Sequence, residues 1–125
     1  MLIFEVTNSN IKFRRTPAYT STYLAKVKPY SKIRAKFRDF METKRTNPNT
    51  TFSSSDKPFI SKGSYGTLIP GIKHAHITHD LSIVYLLQGN TIIFYGFYTH
   101  DELGTGSPAK INIQKSMARR FKTMS

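Results

Sequence analysis

Cysteine is absent from the 125 residues, which removes disulfides, thiolate metal centres and cysteine nucleophiles together. A reducing compartment fits such a chain. Tryptophan is absent as well, so nine Phe and seven Tyr carry the aromatic load. Acidic residues are scarce: seven stand against nineteen Lys and Arg, a formal net charge of +12. An excess of that size is more than solubility needs and points to a polyanionic partner, nucleic acid or the ribosome. Long apolar runs are missing too. The first residues, Met1 to Val6, form too short a run for a secretion signal, lack a basic lead and are interrupted by Glu5. No other stretch approaches membrane-spanning length. These absences predict a soluble, cytoplasmic protein with no membrane association, while the proton-transfer chemistry read from the histidines calls for no cofactor and no metal.

What is present suffices for one globular domain spanning 1–125, with 38% hydrophobic residues and room for a real core. The basic residues are uneven, eleven within 1–46 and five within 110–125, while all four histidines fall in the nearly neutral middle. Leu2 to Val6 reads as a strand. Thr16-Pro17 is a cap followed by proline at a first helical position, and Tyr19, Tyr23 and Val27 recur at helical spacing up to Pro29. From Ser31, Ile33, Phe37, Phe40 and Met41 make one apolar stripe, with Lys32, Arg34, Lys36, Arg38, Lys44 and Arg45 on the other faces. The expectation is an N-terminal two-helix hairpin with a basic outer side. Residues 47–67 lack any stable period and read as a long surface loop. Strands are expected at Ile72–Ile77, Leu81–Leu87 and Thr91–Phe97, with a turn at Gln88-Gly89-Asn90. A C-terminal helix over 107–123, capped by Ser107-Pro108, carries Ile113, Met117 and Phe121 opposite Lys115, Arg119, Arg120 and Lys122. The fold class predicted is α+β, an antiparallel sheet packed on the helical hairpin with an extra C-terminal helix.

The chemistry-bearing stretch is Lys73-His74-Ala75-His76-Ile77-Thr78-His79-Asp80, joined by Tyr98-Thr99-His100-Asp101. Strand alternation points His74 and His76 the same way, a turn at Thr78-His79 brings Asp80 back, and His100 lies just past a neighbouring strand. Imidazoles can exchange protons near neutral pH. Cleavage of RNA by its own 2′-hydroxyl needs only a base, an acid and cations for the phosphorane. His76 and His100 are the candidates for proton transfer, His74 a third, Asp80 an orienting carboxylate and Lys73 a phosphate cation. A His-x-His pair can also ligate a metal. The order His79 then Asp80 and the short chain, however, depart from the His-x-His-x-Asp-His run of metallo-β-lactamase-fold hydrolases. Packed, purely structural histidines are the plainer alternative.

Residues Gly71 to Tyr85 and Tyr98 to Leu103 resemble the RelE/YafQ toxins of type II toxin–antitoxin systems, over 71–104. The resemblance implies a RelE-like fold and a ribosome-dependent mRNA interferase that cuts in the ribosomal A site without metal and is neutralised by a small cognate antitoxin. In the YafQ-like branch an Asp-x-His, an Asp opening the next strand and a Thr-His after the last strand form the motif; these fall on His74, His76, Asp80 and His100. Tyr85 matches a tyrosine that commonly ends the next strand and is assigned, with Lys62, to RNA. A further family histidine upstream has only Lys62, Gly63 and Ser64 near its place, and Gly104 replaces an aromatic. Message or ribosomal RNA would be gripped by Lys32, Arg34, Lys36 and Arg38 and by Lys115, Arg119, Arg120 and Lys122. Two other readings remain: a non-catalytic RNA- or ribosome-binding translation regulator, and a DNA-binding helix-turn-helix protein.

Overall fold

The computed structural model describes residues 11–59, 71–105 and 108–124. The expected strand at Leu2 to Val6, Lys62 and the Ser107 cap lie outside them. Along the chain run β1 (Lys12–Arg15), α1 (Pro17–Lys26), α2 (Ser31–Thr46), β2 (Lys57–Pro58), β3 (Lys73–His76), β4 (Leu81–Gln88), β5 (Thr91–Thr99), α3 (His100–Leu103) and α4 (Ile111–Met124). The five strands make one sheet in the order β1-β5-β4-β3-β2.

Several expectations need correction. The sheet is mixed, because β1 lies parallel to β5 while β5, β4, β3 and β2 pair antiparallel. The strand that precedes the two helices, β1 at Lys12–Arg15, was not expected. The region 47–67 is also not loop throughout: Lys57 and Pro58 pair with His74 and Lys73. Gln88 to Thr91 turn as expected, with Gly89 at φ 60 supplying the left-handed residue. The final helix begins later than expected, after a 3-10 turn at Pro108–Lys110.

The sheet has two apolar faces. One carries Ile83, Tyr85, Ile92, Phe94 and Phe97 and receives Tyr19, Tyr23, Val27, Phe37 and Phe40 from α1, α2 and the turn between them. The other carries Ile72, Val84, Leu86, Ile93, Tyr95 and Tyr98 and receives Met117, Ala118 and Phe121 from α4. Ile113, expected in the α4 stripe, is 41% exposed. A β-bulge sets the division between the faces. Val84 pairs with Gly96 but Tyr85 with Phe94, leaving Tyr95 extra. The slip reverses the alternation, so Phe94 and Phe97 share a face although three residues apart. Gly96 permits it with φ 126, and a Cβ there would lie 2.7 Å from the Tyr98 hydroxyl.

Candidate active site

β3 and the end of β5 place the histidines. On β3, Ala75 faces α1 and α2, so His74 and His76 share the opposite face with Ile72. Thr78 closes the turn after β3 by accepting from the backbone N–H groups of Asp80 and Leu81, at 3.4 and 3.1 Å. That turn returns Asp80 to the end of β5. There Thr99 caps α3 in a reciprocal box, its hydroxyl accepting from Glu102 N–H at 3.3 Å while its own N–H donates to the Glu102 carboxylate at 2.9 Å. The first residue of this capped turn is His100. Lys26 of α1 holds Glu102 and donates to the Phe97 carbonyl at 3.2 Å, tying α1 to the same corner.

The Asp80 Oδ1 accepts from the His100 backbone N–H at 3.2 Å and lies 3.1 Å from its Nδ1, while His100 Nε2 lies 3.0 Å from His76 Nε2. If the hydrogen on Nδ1 of His100 points to the carboxylate, Nε2 accepts and His76 Nε2 donates. Nδ1 of His76 is then left as an acceptor. A carboxylate, an imidazole and a second imidazole thus form a hydrogen-bonded row. His74 stands beside it, its ring 6.4 Å from that of His76 and edge-on to Phe59, with Nδ1 3.1 Å from the Lys57 carbonyl.

Burial lowers the His74 pKa, and the positive neighbours His76, Lys57 and His100 add to the effect against the opposing hydrogen bond to the Lys57 carbonyl. For His76, burial again leads, followed by repulsion from His100, His79 and Lys57, with Asp80 opposing. Both imidazoles are therefore held neutral near neutral pH, the form that accepts a proton. Across the ladder from His76, the buried Ser82 hydroxyl has no hydrogen-bond partner among the described residues.

His74, His76, Asp80 and His100 are thus brought together. Lys73 is not with them, because the residue next to His74 on a strand projects from the other face. Tyr85 is 1% exposed and its hydroxyl donates to Asp56, so it offers no ring face to RNA. The cation beside the histidines is Lys57, which raises the positive potential at both His74 and His76. Ser55 also reaches the site, its hydroxyl accepting from the His76 N–H at 3.2 Å. Sequence reading missed both because no local pattern joins 55–57 to 74–76; only the β2–β3 pairing does. The buried Lys44–Asp56 pair was missed as well. Lys44, expected on the solvent side of α2, is 1% exposed, with Nζ 2.7 Å from Asp56 Oδ2 and 2.6 Å from the Thr50 carbonyl. Of the expected RNA contacts, Lys32, Lys36, Arg38, Arg119, Arg120 and Lys122 are exposed, whereas Arg34 and Lys115 are half-buried. Among the described residues no group of three or more His, Asp or Glu is arranged to hold a metal.

No protein-family model and no curated protein matches the chain. Solved structures do. The YoeB dimer of Staphylococcus aureus is 18% identical, covering 72% of this chain and 97% of its own, at a TM-score of 0.54. A YoeB/ParE toxin from Agrobacterium tumefaciens is 20% identical, with coverages of 71% and 98% and a TM-score of 0.53. The fold is that of the RelE-like toxins. Escherichia coli YafQ agrees, at 18% identity, coverages of 76% and 98% and a TM-score of 0.52. At these identities the likeness establishes the RelE-like fold and nothing finer. One further neighbour, also a YoeB from S. aureus, was solved as a heterotetrameric YoeB–YefM toxin–antitoxin complex.

Proposed function

We propose that the chain is an RNA-directed endoribonuclease that cuts messenger RNA, on the ribosome or free, by metal-free acid–base chemistry and so inhibits translation. The observation that carries this reading is the row Asp80–His100–His76, with neutral His74 beside it and Lys57 on the same side. His76 takes the proton of a 2′-hydroxyl. The oxygen then attacks the neighbouring phosphorus; His76, protonated on Nδ1, passes its Nε2 proton to His100, and the resulting His100 imidazolium, balanced by Asp80, gives that proton to the departing 5′-oxygen, with His74, held neutral, the third candidate for proton transfer. Lys57, in the place first given to Lys73, offsets the charge that builds on the phosphoryl oxygens. Exposed cations of α2 and α4 hold the backbone of message or ribosomal RNA. A small cognate antitoxin is the expected protein partner, by analogy with the YoeB–YefM assembly.

Primer extension on translated messages tests it. The wild type should produce discrete cuts within codons at the A site, and His76→Ala with His100→Ala should abolish them. Identical cuts from both proteins would refute the site. The second reading is a non-catalytic ribosome or RNA binder, favoured by the same exposed cations and the +12 charge. It predicts translation inhibition without cuts, indifferent to the histidines and sensitive to Arg38, Arg119 and Arg120.

A further inference from the structure

On the face of the sheet away from the histidines, α1, α2 and β1 enclose a cavity of about 650 Å³, within the size range of small-molecule sites. Its walls have two chemistries. Phe13, Tyr19 and Phe94 form a tier of rings, Phe13 stacked on Phe94 at 5.5 Å and 6° and Tyr19 on Phe94 at 5.3 Å and 20°, with Tyr23 5.8 Å from Tyr19. Around them stand Arg15, Lys28 and Arg34, and among the described residues no acidic side chain lines the space. Arg34 is fixed at the rim because its guanidinium donates to the Lys28 carbonyl, a bond that uses one of its five N–H groups. Arg15 lines the same space and lies close enough to the Tyr19 phenol to act on it electrostatically. Rings that extend a stack together with two arginines and a lysine suit a flat, partly apolar body carrying a compact anion.

We propose that this cavity is a binding site for a nucleoside monophosphate, the base entering beside Tyr19 and Tyr23, since Phe13 already carries the Arg45 guanidinium 5.1 Å from its centroid, and the phosphate meeting Arg15, Lys28 and Arg34. The alternative, an unoccupied crevice where two helices part, explains the rings but not three cations gathered around them with no carboxylate in the lining. The site is separate from the histidine row and stands whether or not that row cuts RNA.

The test is titration of the full chain with AMP, GMP, CMP and UMP, read by amide chemical shifts and calorimetry. Adenosine supplies base without charge, inorganic phosphate charge without base, and an acidic aromatic peptide the competing class of ligand. At least one monophosphate should bind with shifts confined to 13–34 and β5. Adenosine and phosphate should each bind at least tenfold more weakly. The exposed pair Arg15→Gln and Lys28→Gln should weaken the monophosphate at least tenfold with an unchanged melting temperature. Phosphate alone binding as tightly, shifts centred on His76 and His100, preference for the peptide, or indifference to the double substitution would each overturn the assignment.

Discussion

His76 has neighbours on every side that act on its proton: His100 of α3, His79 and Asp80 of the turn, Lys57 of β2 and His74 on its own strand. Burial and the cations outweigh Asp80, so its pKa and that of His74 lie below 6.5. Two expectations follow from that sign. In turnover, a neutral His76 base gives an acid limb of kcat/KM below about pH 6.5; a limb centred above about 7 would exclude His76 as the base. In stability, an imidazole with a folded pKa below its unfolded value binds fewer protons folded than unfolded. Its contribution is therefore complete above about pH 6.5 and falls as the pH drops through the interval to the folded pKa. Urea unfolding at about pH 7.5 and about pH 6.0, either side of the unfolded value, should show that fall, and His74→Gln should reduce it. Ser82 gives a simpler test. Its buried hydroxyl lacks a partner among the described residues, and such a group costs about 1–3 kcal/mol. Ser82→Ala should leave stability unchanged or raise it by about 1 kcal/mol; a clear loss in urea unfolding would reveal a partner. The histidine cluster was legible at this scale, since strand alternation alone puts His74 and His76 together. The same rule, carried one residue back, places Lys73 on the wrong side.

At the scale of elements, the segment that brings Lys57 and Ser55 to the histidines is held by a buried network. Asp56 accepts from Lys44 at 2.7 Å, from the Phe52 N–H at 2.7 Å and from the Tyr85 hydroxyl. Burial, the hydrogen bond to Asp56 and its charge raise the Tyr85 pKa, so the phenol remains the donor. Asp56→Ala would strand the Lys44 charge, whose side chain is 1% exposed, and should cost about 3–5 kcal/mol in urea unfolding. Replacing both partners by Met and Leu should cost less than Asp56→Ala alone, because removal of the whole pair leaves no uncompensated ion. If the double variant were the less stable, the pair would contribute net attraction beyond its desolvation. This network was not readable from sequence: Lys44 sits among six Lys and Arg of one helix, and nothing local marks it as the one whose partner lies twelve residues on. The β4–β5 hairpin was readable because its composition is β-branched and aromatic throughout. Its bulge was not, since Gly96 alone does not announce that Tyr95 is unpaired. Elements whose signal is a repeat were found; β1, β2 and α3, four residues or fewer each, carry too few residues to show one.

For the whole molecule, charge decides more than any contact. Its basic residues concentrate on elements that flank the sheet from both sides: α1 and α2 cover one face and α4 the other. The histidines lie on the α4 face of the sheet, so the proposed RNA substrate would have the exposed Arg119, Arg120 and Lys122 on its own side and Arg38 of α2 on the other. Each cation that contacts a phosphate releases condensed counterions, and the logarithm of affinity then falls linearly with the logarithm of salt concentration. Arg119→Gln and Arg120→Gln should each lower the steepness of that dependence by about 1 and weaken binding uniformly across sequences. His76→Ala should abolish cutting and leave the salt dependence unchanged. Affinity for a short RNA, measured between about 50 and 200 mM salt, separates the two kinds of residue. A slope unaltered by both arginine substitutions would move the RNA path off α4 and onto α2, where Lys32, Lys36 and Arg38 are the next residues to test.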